Sequence, residues 1–227
     1  MNAPVLVKVC GLTRREDAAA CRELGVDLTG FIFAAGSPRR VTPETVRDIA
    51  RDTPESAALR VGVFAEQTAG EVIDIMDHAG LDLAQLHGDA SPDFCRAVGA
   101  ERVIRVFWPQ RHATRLALEA ELALFSGACR LLLLDAGTAG GGHGKTLDLE
   151  FLRGLQAPLP WLLAGGLGPD NVARALAQAR PNGVDLNSQV ESAPGVKDHD
   201  KLRQAMAAVG RLRRPGGVAP WTPTGGG

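Results

Sequence analysis

Two residues stand where chemistry could be done. Cys10 ends the apolar run Val5-Leu6-Val7-Lys8-Val9-Cys10 and is followed at once by Gly11, and Asp135 ends the run Leu131-Leu132-Leu133-Leu134-Asp135. A thiol and a carboxylate at the exit ends of two buried strands suggest a base and an acid facing one pocket, which suits proton shuttling on a small molecule. A lone cysteine also reads as a small core hydrophobe. A strand-end aspartate can merely cap a turn, but four leucines before Asp135 favour catalysis. Asp148 is the competing acid; it sits just before an apolar helical run and reads best as an N-cap.

Glycines supply the second signal. Gly165-Gly166 follows the run Trp161–Ala164 and opens toward Pro169-Asp170-Asn171. Small residues let backbone N–H groups approach a phosphate. A tight turn with positive φ is the alternative, and pairing with Asn187-Ser188 favours the phosphate reading. The segment from Gly137 to Gly144 reads as a mobile active-site loop. It is no Walker loop, because Ala139 stands where GxxxxGK[ST] needs its first glycine. His87, in Gln85-Leu86-His87-Gly88, reads on its own as a solvated loop residue, with a ligand or proton donor as the alternative. Arg39, after Ser37-Pro38, is either an anion contact or a solvated arginine.

Positioning such residues requires strands that hand over to loops at one end. Short apolar runs occur at Val5–Cys10, Leu28–Phe33, Leu59–Phe64, Leu81–Leu86, Arg102–Trp108, Leu131–Asp135, Trp161–Ala164 and Gly183–Asn187. Most are continuous rather than alternating, as in parallel strands covered on both faces. Helix-period segments lie between and after them, at Arg15–Leu24, Pro43–Arg51, Ala69–Ala79, Pro92–Val98, Ala113–Phe125, Leu149–Leu155, Asn171–Gln178 and Asp198–Val209. Thr42-Pro43 and Ser91-Pro92 are start signals, with Pro at the first helical position; Gly25 and Gly80 are stop signals. Eight βα units match a single (βα)₈ TIM barrel over residues 1–212, whose active site lies at the C-terminal ends of the strands. A doubly wound open sheet is the alternative. Residues 213–227, rich in Pro and Gly, are expected to form a disordered tail.

Composition excludes several classes. The 227 residues carry 25 basic and 26 acidic side chains, so no basic excess supports nucleic-acid binding. The four cysteines form no CxxC and no zinc-ligand spacing, so neither a metal nor a disulfide frame is expected. No signal peptide or apolar stretch of membrane-spanning length is evident, and a cytoplasmic location is the default.

An ordered set of motifs then resembles one family. Lys8-Val9-Cys10-Gly11-Leu12-Thr13, Gly30-Phe31-Ile32-Phe33 with Ser37-Pro38-Arg39, Val61-Gly62-Val63-Phe64 and Gln85-Leu86-His87-Gly88 are similar to successive signatures of phosphoribosylanthranilate isomerase. So are Leu133-Leu134-Asp135, the 141–148 loop, Leu163-Ala164-Gly165-Gly166-Leu167 with Pro169 and Asn171-Val172, and the stretch from Val184-Asp185 to Asp198. The resemblance covers residues from about 5 to 209, at about one motif per βα unit.

It implies a cofactor-free Amadori rearrangement in tryptophan biosynthesis. N-(5-phosphoribosyl)anthranilate becomes 1-(2-carboxyphenylamino)-1-deoxyribulose 5-phosphate. By match of position Cys10 is similar to the general base and Asp135 to the general acid. Arg39 resembles the residue that meets the anthranilate part, and Gly165, Gly166, Asn187 and Ser188 the phosphate grip. His87 and Asp185 are further substrate-site candidates. The implied partner is a small phosphosugar, with no nucleic acid or membrane. A monomer is expected, with a homodimer as the alternative. Two departures from the family pattern occur: Leu147-Asp148-Leu149 replaces Phe-Asp-Trp, and Gln189 replaces Gly or Ala. The Gln189 side chain must therefore either turn outward or donate to the phosphate. Other phosphosugar barrels would want a metal site or paired acids, and a non-catalytic phosphate binder would not need both Cys10 and Asp135.

Overall fold

The computed structural model describes residues 5–51, 58–136 and 149–210. Eight strands, β1 (Leu6–Val9), β2 (Leu28–Ile32), β3 (Leu59–Phe64), β4 (Leu83–Leu86), β5 (Val103–Phe107), β6 (Leu131–Asp135), β7 (Trp161–Ala164) and β8 (Gly183–Leu186), pair in parallel and in chain order. β8 returns to β1, with Leu6 opposite Gly183 and Lys8 opposite Asp185. That last pairing closes the barrel and eliminates the open-sheet alternative. The helices are α1 (Arg15–Glu23), α2 (Pro43–Arg51), α3 (Ala69–Ala79), α4 (Pro92–Val98), α5 (Arg115–Ala123), α6 (Leu149–Leu152), α7 (Val172–Ala179) and α8 (His199–Gly210).

Both faces of the strands are buried, which is why their sequences run apolar without alternation. Leu6, Leu28, Val61, Leu83, Ile104, Leu131 and Leu162 fill the lower lumen. The other strand faces, such as Val7, Phe64, Leu132 and Leu134, pack against helix residues including Cys21, Val46, Val72, Met76 and Leu118. The lower lumen is therefore a packed core.

Local signals set most helix ends. Thr68 and Glu71 form a reciprocal capping box at the start of α3, and Gly80 closes it at φ 66. Ser91 accepts from the Phe94 N–H, with Pro92 at the first position of α4. α6 stops at Leu152, shorter than the periodicity predicts; Gly154 turns at φ 73 just beyond it. α5 begins at Arg115, where the Thr114 hydroxyl accepts from the Ala117 N–H. After β8 an unforeseen hairpin appears, β9 (Glu191–Ala193) against β10 (Val196–Lys197).

The expected glycine-rich loop at 137–144, Leu147, the competing acid Asp148 and the tail at 213–227 lie outside the described residues. Among the described residues no helix is long and apolar enough to cross a membrane.

Candidate active site

A cavity of about 490 Å³ opens at the C-terminal ends of the strands, within the range of small-molecule sites. Its wall contains Cys10, Arg39, His87, Asp135, Gly165, Gly166, Asp185, Asn187 and Ser188. All the sequence-predicted site residues thus face one space. Apolar side chains of Ile32, Val63, Trp108 and Leu133 complete it.

Cys10 follows β1 directly and points inward because it lies two residues beyond Lys8, on the same face of the strand. It is 4% exposed. Gly30 on β2 makes the space: a Cβ there would lie 2.8 Å from the Cys10 Sγ and 3.1 Å from the Lys8 Nζ. Lys8 is fully buried, and its Nζ donates to both Asp185 oxygens at 3.1 and 3.0 Å. Desolvation alone would lower Lys8, but the Asp185 carboxylate and then the negative charge of Cys10 in its thiolate form more than reverse it, so the ammonium is held charged. Burial pushes the Cys10 thiol up, while the Lys8 charge opposes that rise. Burial likewise pushes Asp185 up, against the pull of Lys8. Asp185 therefore lines the cavity with both oxygens already engaged.

Asp135 ends β6, three strand positions around the barrel from β1, and is half-buried on the cavity wall. Cys10 and Asp135 can thus address one small molecule from different sides.

Arg39 is not a solvated loop residue. Its Nε donates to the two Glu191 oxygens at 2.9 and 3.1 Å, and Nη2 reaches Oε2 at 2.6 Å. Lys197 Nζ donates to Glu191 at 2.9 Å and to the Asn187 Oδ1 at 3.1 Å. Desolvation pushes Glu191 up, but Arg39 and Lys197 together hold it below the usual carboxylate value. The hairpin β9–β10 thereby clamps Arg39 against the cavity. Gly11, at φ 75, permits the approach: a Cβ would lie 2.8 Å from both the Arg39 Cδ and the Asn187 Oδ1.

His87 is also not solvated. Its Nε2 lies 2.9 Å from the Gln85 Nε2, and its ring tilts against Trp108 with centroids 5.9 Å apart. Burial, with the Lys8 and Arg105 charges, lowers it to about 4, so it is neutral at physiological pH.

The glycine loop and the strand-eight turn meet. Gly165 and Gly166 take φ 105 and 64, backbone that side chains resist. Asn171 staples the loop, donating to the Gly166 carbonyl and accepting from the Gly168 N–H, both at 2.9 Å. Gln189 points away from the cavity into a separate groove with Gly168, Asn171 and Lys201. Of the two expectations, the outward one fits.

Lys8, Gln85, Trp108, Glu191 and Lys197 were missed by sequence reasoning. Lys8 left a signal, a charge inside an apolar strand two residues before Cys10. Glu191 and Lys197 left none, since their partners lie on other elements.

Comparison with known proteins shows the family and the fold. Residues 7–208 match the family model described as N-(5'phosphoribosyl)anthranilate (PRA) isomerase. The N-(5'-phosphoribosyl)anthranilate isomerase of Maridesulfovibrio salexigens is 49% identical over 207 residues, 91% of this chain and 99% of the relative. That of Desulfovibrio desulfuricans is 50% identical over 209 residues, covering 92% and 97%. The crystal structure of phosphoribosyl anthranilate isomerase from Thermotoga maritima superposes with a TM-score of 0.82 at 34% identity, covering 92% of this chain and all of that one. A phosphoribosyl anthranilate isomerase solved in complex with reduced 1-(o-carboxyphenylamino)-1-deoxyribulose 5-phosphate superposes at 0.74 with 33% identity, again over 92% and 100%.

Proposed function

Since the chain belongs to the N-(5'-phosphoribosyl)anthranilate isomerase family, we propose that Cys10 and Asp135 run its reaction as base and acid. The protein is an isomerase of tryptophan biosynthesis, converting N-(5-phosphoribosyl)anthranilate to 1-(2-carboxyphenylamino)-1-deoxyribulose 5-phosphate. The observation that carries the residue assignment is the convergence of Cys10 and Asp135 on one cavity that also contains the Gly165-Gly166 loop.

Asp135 donates a proton to the ribose ring oxygen, the C1′–O bond breaks, and the amine lone pair forms the C=N bond. The Cys10 thiolate then takes the C2′ proton, and the electrons return to nitrogen as an enolamine, which tautomerises to the ketone. One proton is given and one taken, so a single acid and a single base suffice. The Lys8 ammonium supports the thiolate form in a site where burial opposes it. Gly165 and Gly166, with Asn187 and Ser188, grip the phosphate at the start of α7. The free side of the clamped Arg39 guanidinium meets the anthranilate carboxylate, and His87 flanks the ring with Trp108.

The ligand is a phosphosugar; we further propose action as a cytoplasmic single barrel domain spanning 1–212, without nucleic acid or membrane, as a monomer. Fluorescence decay of freshly formed phosphoribosylanthranilate tests the reading. Cys10→Ser and Asp135→Asn should each lose about 10²–10⁴-fold in kcat while still binding the reduced product analogue. Near-normal turnover in either variant, or greater damage from Asp148→Asn, would refute the assignment.

A further inference from the structure

Lys197 is a cation that nothing outside the protein reaches. Its side chain is fully buried, and all three ammonium protons are taken. Nζ donates to the Glu191 Oε1 at 2.9 Å, to the Asn187 Oδ1 at 3.1 Å and to the Asn187 carbonyl at 3.5 Å. Glu191 supplies the counter-charge that a buried ammonium requires. The two bonds to Asn187 do something else.

They settle which way an amide faces. An asparagine side chain carries an acceptor on one edge and donors on the other, whereas an ammonium has donors only. The edge that meets Lys197 is therefore the oxygen, and Nδ2 lies on the opposite edge. Gly11 closes on that oxygen from just beyond β1, where a Cβ would lie 2.8 Å from it. The Asn187 Nδ2 donates to no group among the described residues. Among them only the Gln85 Oε1 and the His112 Nδ1 are sealed from solvent without a partner, so Nδ2 keeps accessible surface. Asn187 lines the active-site cavity together with Gly165, Gly166 and Ser188.

We propose that Lys197 is a positioning residue for phosphate binding: it holds the Asn187 oxygen inward, so that Nδ2 stands as a preset donor to the phosphate of the substrate. This rests on the phosphate grip assigned above, in which Asn187 takes part. The opposite amide orientation would present Oδ1, a partial negative charge, to a dianion. A donor already aimed costs no reorganisation when the ligand arrives. Through Glu191 the same ammonium is joined to Arg39, so one buried network underlies the residues assigned to both anionic ends of the substrate. The phosphate passes through the rearrangement unchanged. Its contacts are alike in substrate and transition state, and their loss falls on KM more than on kcat.

Inorganic phosphate, used as a competitive inhibitor, isolates this end of the site from the anthranilate end. Lys197→Met keeps the stem and removes the donors. We expect it to raise the phosphate Ki about 5–20-fold, and Asn187→Ala to raise it about 10–100-fold, as for a hydrogen bond to a charged group. The double variant should match Asn187→Ala within about 2-fold, because Lys197 acts through that amide. An unchanged Ki in Lys197→Met, a loss confined to kcat, or losses that multiply in the double variant overturns the proposal; multiplied losses would make Lys197 a support of the fold or a distant charge. If Lys197→Met does not fold, a wild-type crystal with inorganic phosphate decides. An anion within hydrogen-bond distance of Nδ2 upholds the proposal, and an anion in the cavity out of reach of Asn187 overturns it. Wild-type turnover insensitive to phosphate, with no anion at the Gly165-Gly166 loop, would instead refute the grip itself and this inference with it.

Discussion

Replacing Lys8 by Met should cripple Cys10 without touching it. Lys8 Nζ and Cys10 Sγ both lie within 3.1 Å of one point, the position a Gly30 Cβ would occupy, so they are at most about 6 Å apart. At an effective dielectric of about 20, a unit charge at about 6 Å stabilises a thiolate by roughly 3 kcal/mol, about 2 pKa units. Asp185 offsets part of this, because its charge raises the Cys10 pKa and it will take up a proton once Lys8 is gone. The expected net rise in the Cys10 pKa is about 1–2 units. Met fills the volume of the Lys stem, which limits the packing change. The assay is the pH dependence of iodoacetamide alkylation at Cys10, followed by peptide mass spectrometry. Cys21, Cys95 and Cys129 are buried in the outer core and do not line the cavity. Because the base works deprotonated, the rising limb of kcat/KM should move to higher pH by the same amount as the alkylation curve. A folded Lys8→Met protein whose two curves stay where the wild type has them would show that Lys8 does not set the thiolate.

Three further outcomes follow from the geometry. Glu191 has a folded pKa below its ordinary 4.5, so the unfolded chain binds its proton more tightly. Its contribution is complete above that value and lost as pH falls; Glu191→Gln should flatten the loss of melting temperature from about pH 5 to 3 and raise KM by loosening Arg39. His87, at about 4, should show no imidazole titration by NMR between pH 8 and about 5; a midpoint near 6.5 would contradict its burial. Gln189→Gly should leave KM within about 2-fold, since the side chain faces the outer groove, and a large rise in KM would place it on the phosphate.

The chain's own residues dictate the succession of strands and helices, because continuous apolar runs, caps and glycine stops are local. The Thr68–Glu71 capping box and the Ser91-Pro92 start lie within one turn of the helices they begin. The sequence also marks Cys10, Asp135 and Gly165-Gly166, since each sits at the end of a recognisable strand. Closure of the barrel is not local. It depends on β8 meeting β1 across about 175 residues, which no periodicity encodes. The same closure sets Lys8 beside Asp185 and brings the hairpin's Glu191 and Lys197 onto Arg39. Those contacts govern which groups are charged in the cavity. Charge at a buried site is fixed by neighbours in space, and only the folded chain chooses them.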